Sequence, residues 1–193
     1  MMMRIIGDVH AKIDKYAEII NSCGKSICVG DFGFKNQWDW LTENKISTDH
    51  QIVMGNHDYI PYRESHRNSL GTHSFNDDIF TIAGASSIDK HLRTHGVDWF
   101  EDEELPYLLG VKILEWYNAV TPSIVITHDC PQFVASRWFG IQEKSRTRQL
   151  LDALFEVYEP ELWIFGHHHK SKTEQIDRTK FICLSELEYI DLP

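Results

Sequence analysis

Short apolar runs alternate along the chain with stretches whose apolar residues return every third or fourth position, the pattern of strands interleaved with helices. Met3 to Ile6 reads as a first strand. Ile13, Tyr16, Ala17 and Ile20 then recur at helical spacing from about Lys12 to Ser22, with Gly24 at the C-cap position. Ile27 to Val29 is a second strand, a helix is expected near Asn36 to Asn44, and Gln51 to Met54 is a third strand. Repeated strand-helix-strand units imply parallel strands joined by right-handed crossovers. From Tyr59 to Thr72 polarity is high and periodicity poor, which predicts a loop with one short helix. Thr72 to Phe75 and Ile79 to Ala83 read as two strands around the turn Asn76-Asp77-Asp78, and Gly84 to Gly96 as an irregular functional loop. A helix over Leu105 to Tyr117 and a strand at Ile124 follow. Ser145 is the expected N-cap of a helix whose Leu150, Leu151, Leu154, Phe155 and Tyr158 form an apolar face stopped by Pro160. Strands at Leu162 to Phe165, Lys172 to Ile176 and Lys180 to Leu184 complete the pattern, the last two joined at Asp177-Arg178.

Five strand-like runs end in a residue able to hold a metal ion. Ile5-Ile6 leads into Gly7-Asp8-Val9-His10, and Ile27-Cys28-Val29 into Gly30-Asp31. Ile52-Val53-Met54 leads into Gly55-Asn56-His57-Asp58, Ile124-Val125-Ile126 into Thr127-His128-Asp129, and the run from Leu162 into Gly166-His167-His168-His169. The C-terminal ends of strands are where α/β proteins keep their chemistry. Asp8, His10, Asp31, Asn56, His128, His167 and His169 offer carboxylate oxygen, amide oxygen and imidazole nitrogen, with no sulfur. That donor set suits Mn, Fe or Zn better than Ca, which takes oxygen alone. Seven donors exceed the needs of one tetrahedral ion, whereas two ions about 3.5–4 Å apart, bridged by one carboxylate, would use them all and clamp a phosphoryl group. In extended backbone the outer residues of Asp8-Val9-His10 and of His167-His168-His169 share one side, so His168 faces away from the metals.

Composition narrows the partner classes. The 193 residues suit a single domain spanning 1 to 193. With 19 Lys plus Arg against 29 Asp plus Glu, the formal net charge of -10 disfavours nonspecific attraction to nucleic acid. No stretch approaches the ~18 apolar residues of a membrane span, and no charged leader precedes an apolar core, so a soluble, cytoplasmic protein without a membrane partner is expected. Cys23, Cys28, Cys130 and Cys183 show no Cys-x-x-Cys spacing and read as reduced core thiols.

The ordered set Gly-Asp-Val-His, Gly-Asp, Gly-Asn-His-Asp, Thr-His-Asp and Gly-His-His-His, spanning residues 7 to 169, resembles the calcineurin-like metallophosphoesterase superfamily. The resemblance implies an α/β fold, a four-layer α-β-β-α sandwich of two mixed sheets flanked by helices. It implies that Asp8, His10 and His169 hold one ion, that Asn56, His128 and His167 hold the other, and that Asp31 bridges them. The cofactor is then a pair of divalent or trivalent transition-metal ions, Mn first, with Fe or Zn as alternatives. Hydrolysis of a phosphate ester by metal-activated hydroxide is implied, with His57 as general acid toward the leaving oxygen. In the serine/threonine protein phosphatases of this superfamily the second block reads Gly-Asp-x-x-Asp-Arg-Gly; here Gly30-Asp31-Phe32-Gly33-Phe34-Lys35-Asn36 lacks the later Asp and the Arg, which argues against a protein phosphatase. Gly84-Ala85-Ser86-Ser87-Ile88-Asp89-Lys90-His91-Leu92-Arg93, with Trp99 and Glu103-Glu104-Leu105 beyond, is similar to a block in small microbial and phage metallophosphoesterases and names no substrate.

Arg93 is the candidate phosphate contact, its alternative being a surface pair with Asp89. Asp58 either orients His57 at the substrate or closes its own turn. Lys144, Arg146 and Arg148 read as a solvated helix face, and the acidic run 101 to 104 as a solvated lead-in. The expected substrate is a small-molecule phosphate ester or a nucleotide. A nuclease or phosphodiesterase on nucleic acid or cyclic nucleotides is the enzymatic alternative. A catalytically silent scaffold is the alternative of another class, and the presence of His57 beside all seven ligand types argues against it.

Overall fold

The computed structural model describes residues 2–193. Its first half runs Met3–Ile6 (β1), Ile13–Asn21 (α1), Ser26–Cys28 (β2), Lys35–Glu43 (α2), His50–Ile52 (β3), His73–Asn76 (β4) and Ile79–Ile82 (β5). Then come Tyr107–Val120 (α3), Ile124–Thr127 (β6), Gln132–Phe139 (α4), Arg146–Val157 (α5), Leu162–Phe165 (β7), Lys172–Ile176 (β8), Thr179–Cys183 (β9) and Tyr189–Leu192 (β10). One sheet has the order β10-β1-β2-β3 and the other β4-β5-β6-β7-β9-β8. Both are mixed: β1, β2 and β3 are parallel with β10 antiparallel, while β5, β6, β7 and β9 are parallel with antiparallel edges β4 and β8.

The two-residue period of the second sheet builds the layers. Ile79, Ile126, Ile164 and Ile182 pack with Ile5, Ile27 and Ile52 of the first sheet, in a core that also takes Tyr16 and Ile20 of α1 and Trp38 and Leu41 of α2. Their strand neighbours Phe80, Val125, Trp163 and Phe181 pack instead with Ile113 and Tyr117 of α3, Val134 of α4, and Leu151 and Leu154 of α5. The result is helix, sheet, sheet, helix, with the turns after β1, β2, β3, β6 and β7 converging at one site.

Local chemistry explains several boundaries. Asp77 and Asp78 both take left-handed backbone (φ 51° and 65°), the mirror-image turn whose twist suits a hairpin. The Ser145 hydroxyl accepts the Arg148 N–H at 3.1 Å, capping α5 as its sequence predicts. The loop 59 to 72 carries one short 3₁₀ turn at Ile60–Tyr62. Three features depart from the sequence expectations. Ser22, not Gly24, closes α1, its N–H reaching the Ile19 carbonyl at 3.2 Å. Helix α4 was not expected; it starts after Pro131 and stops at Gly140, where φ is 72°. Strand β10 was not expected either, because an edge strand half-buries only alternate residues; Arg4 anchors it through a forked pair with Asp191 at 2.8 and 2.9 Å. Among the described residues no helix is long and apolar enough to cross a membrane.

Candidate metal centre

Two groups of donor atoms share one carboxylate. Asp8, His10, Asp31 and His169 bring one ligand atom each within 4.8 Å of one another, and Asp31, His128 and His167 do the same. In the first group His10 Nε2 lies 2.8 Å from His169 Nε2 and 3.6 Å from Asp31 Oδ2, while His169 Nε2 lies 3.5 Å from Asp8 Oδ2. In the second, His128 Nε2 lies 3.2 Å from Asp31 Oδ1 and 3.2 Å from the Asn56 side-chain oxygen, so Asn56 joins this group. The Nδ1–H of His128 donates to the Val29 carbonyl at 3.0 Å, which turns Nε2 toward the centre. Access is one-sided: the His169 side chain is 49% exposed, His10 21%, and His128 fully buried.

The donor chemistry fits bound cations. Asp8 Oδ2 accepts the His167 N–H and Asp31 Oδ1 accepts the His57 N–H, both at 2.8 Å, but Asp8 Oδ1 and Asp31 Oδ2 are buried without a hydrogen-bond partner among the described residues. Buried charges left unpaired are costly, so two such oxygens facing imidazole nitrogens call for positive charge. The electrostatics agree. Burial, aided by the Asp31 charge, pushes the Asp8 carboxyl up to about 8 despite His128. Burial opposes protonation of His128, yet Asp31 and Asp8 drive it up to about 10. Burial takes His167 down to about 3, which leaves its nitrogen free to bind metal.

The turns that present these donor groups are strained. His10, Asp31, His167 and His169 all hold left-handed backbone, with φ of 45°, 47°, 63° and 51°. Such conformations in non-glycine residues persist where the surroundings over-determine them, and they cluster at functional sites. The extended geometry expected for Asp8-Val9-His10 and His167-His168-His169 therefore gives way to tight turns, and the last turn splits its donors: His167 goes to one group and His169 to the other. Gly55 is dictated by crowding, since a Cβ there would sit 2.2 Å from Asp31 Oδ1 and 2.6 Å from His128 Nε2.

The remaining candidates separate clearly. The backbone N–H of His57 holds Asp31, and its ring faces Arg93, whose Nη2 lies 2.9 Å from Nδ1 and 2.7 Å from Nε2. Arg93 is also forked onto Asp89 at 2.8 and 2.9 Å, so the pair with Asp89 and the position beside His57 coexist. Asp58 spends its oxygens on the turn itself and on α2. It is buried, with Oδ1 accepting Gly33 N–H and Trp38 Nε1–H and Oδ2 accepting Gly55 N–H, so its carboxylate ties the turn to α2. His168 faces away from the two groups, stacked on Phe139 at 3.9 Å and 3.3 Å from Asp129 Oδ1.

The solvated-face reading fails for Arg148. Lys144 and Arg146 are exposed, but the Arg148 side chain is 3% exposed with Nε 2.8 Å from Asp129 Oδ2. Asp129, Cys130 and His168 also cluster closely enough to hold an ion, but the guanidinium already supplies the cation there. Arg148→Met leaves the Asp129 carboxylate buried beside no cation and is expected to cost about 3–5 kcal/mol in chemical denaturation, part of it recovered by adding Asp129→Asn. An unchanged midpoint would show that the pair is not buried in solution. Ser87 and Glu103, which contact Asn56 directly and at one remove, were also missed as site residues; their signal was membership of the block Gly84 to Leu105.

A family model described as calcineurin-like phosphoesterase matches residues 1–171. No curated protein matches the chain. Among solved structures, a Thermus thermophilus protein is similar at 12% identity and TM-score 0.55, covering 97% of this chain and 91% of its own. A dimetal phosphatase from Danio rerio is similar at 12% identity and TM-score 0.54 over 97% and 88% of the two chains. A phosphopantetheinyl hydrolase from Mycobacterium tuberculosis gives 12% identity and TM-score 0.51 over 96% and 89%. At such identities the likeness is one of fold.

Proposed function

The chain belongs to the calcineurin-like phosphoesterase family, and we propose that it is a binuclear metal-dependent phosphoesterase that hydrolyses small phosphate esters or nucleotides. The observation that carries this reading is the membership of Asp31 in both donor groups at once. Asp8, His10 and His169 would hold one ion, Asn56, His128 and His167 the other, and Asp31 both. Mn is the first expectation for the pair, with Fe or Zn as alternatives, since the donors are nitrogen and oxygen. Bound there, the ions supply charge neutralisation at the phosphoryl oxygens and lower the pKa of water.

The chain's own side chains supply the rest. Arg93, locked by Asp89 and standing 2.7 Å from His57, would offer a guanidinium to the phosphate charge. His57 stands beside it to hold the proton for the departing oxygen. The half-exposed His169 side gives a small ester its approach, and the net charge of -10 disfavours a nucleic-acid strand. Four free cysteines, three of them buried, support a reducing, cytoplasmic setting.

The test is a Mn²⁺-loaded sample offered phosphomonoesters, phosphodiesters, nucleotides and single-stranded DNA. Turnover of small monoesters or nucleotides should lead. DNA cleaved faster than every small ester would favour the nuclease alternative, and no turnover at all would favour the silent scaffold. On the best substrate, Arg93→Ala should lower kcat/KM by about 10-fold or more, because charged hydrogen bonds contribute about 1.5–3 kcal/mol. Unchanged kinetics would leave Arg93 as a mere partner of Asp89.

A further inference from the structure

An asparagine ligand has a difficulty that a carboxylate escapes: one end of its amide binds a cation and the other repels it. Asn56 is buried, with Oδ1 on the metal side, 3.2 Å from His128 Nε2, and Nδ2 3.0 Å from the Ser87 hydroxyl. The two amide ends are told apart by their partners, so the orientation depends on whether Ser87 accepts or donates. Glu103 settles that. Its Oε1 accepts the Ser87 N–H at 2.8 Å, and its Oε2 lies 2.6 Å from Ser87 Oγ. A carboxylate only accepts, so the single hydroxyl proton of Ser87 goes to Glu103. Ser87 then offers Asn56 lone pairs alone, and Asn56 must answer with Nδ2–H.

We propose that Glu103, acting through Ser87, is a positioning residue that fixes the Asn56 amide with its oxygen toward the metal centre and so sets the affinity for one of the two ions. The proposal rests on the binuclear reading above. The segment from Gly84 to Glu103 is built for it. Gly84 (φ 100°) donates its N–H to the Met54 carbonyl at 2.8 Å, one residue before Gly55, and a Cβ on Gly84 would stand 2.5 Å from the Glu103 carbonyl oxygen. Arg63 grips the neighbouring Asp102 carbonyl at 2.8 Å. These backbone contacts hold the segment in place without any carboxylate. What the buried Glu103 adds is direction, since it makes the chain of hydrogen bonds run one way only.

Glu103→Gln keeps the shape and reverses that direction. The new amide must still accept the Ser87 N–H with its oxygen, which leaves its nitrogen donating to Ser87 Oγ. The freed hydroxyl proton then seeks the Asn56 oxygen and turns Nδ2 toward the centre. In a calorimetric Mn²⁺ titration the Glu103→Gln protein should bind one ion about 10-fold or more weakly and the other as the wild type does, with a melting temperature close to wild type. Asn56→Asp has oxygen at both ends and can accept from Ser87, so in that background Glu103→Gln should leave affinity unchanged or tighten it. Ser87→Ala, which breaks the chain without aiming a donor at Asn56, should weaken the same ion by less. Equal losses from Glu103→Gln in the wild-type and Asn56→Asp backgrounds, or a lowered melting temperature with both affinities intact, would overturn the proposal. A wild-type limit of one ion would end the binuclear reading instead, and the effect of Glu103→Gln on that ion would still decide the role of Glu103.

Discussion

Chelation is expected to take hydrolysis to background, and Mn²⁺ to restore it, because on the proposed reading the ions that Asp8 and Asp31 would hold supply the charge neutralisation and the activated water. Asp8 Oδ1 and Asp31 Oδ2 are buried without hydrogen-bond partners among the described residues. Metal analysis should approach two ions per chain. Asp31→Ala should lose both, since Asp31 belongs to both donor groups, whereas Asp8→Ala should strip only the ion held with His10 and His169. Binding to the folded chain should also raise its stability by mass action, by about 2.7 kcal/mol when free metal is about 100 times the dissociation constant. Full turnover in the chelated protein would refute the mechanism, and a limit of one ion in excess metal would remove the bridging role of Asp31.

How much of this was legible in the sequence depends on which physical effect set each feature. The five donor-bearing turns were readable as strand ends because a short apolar run followed by a polar turn marks a strand end whatever the rest of the chain does. The two sheets and their flanking helices followed from resemblance, and the alternation of Val125 with Ile126 and of Trp163 with Ile164 between two cores is its physical basis. The left-handed turns at His10, His167 and His169 were not readable, because no glycine marks those positions and tertiary crowding imposes them. Arg148 could have been placed correctly: it lies three and six residues before Leu151 and Leu154, on the face that packs inward. Glu103 was marked only by its membership of the block Gly84 to Leu105, since an acidic run without periodicity says nothing of which carboxylate folds under Ser87. Asp58 shows the same limit, for only the fold brings Gly33 and Trp38 to its oxygens.

His57→Asn is expected to bind both metals, fold normally, and lose about 10²-fold or more in kcat on alkyl phosphates, within the range that positioned proton transfer commonly contributes. The geometry separates His57 from its neighbour in the turn. Asn56 is buried against His128, while the His57 ring lies at the open side, 5.5 Å from the His10 ring and against Arg93. Burial lowers the pKa of this imidazole, Asp31 works against that, and Arg93 lowers it further. A phosphate anion brought up to Arg93 reverses the local field and favours the imidazolium, so His57 would take up its proton when substrate arrives. An alkoxide needs that proton to leave; the stabilised anion released from p-nitrophenyl phosphate scarcely does. The kcat loss should therefore shrink on p-nitrophenyl phosphate while metal content stays at the wild-type value. Loss of an ion in His57→Asn would make His57 a ligand and invert the assignment of the turn. Equal losses on both substrates would mean that the ring stabilises phosphoryl charge, with the leaving oxygen taking its proton from elsewhere.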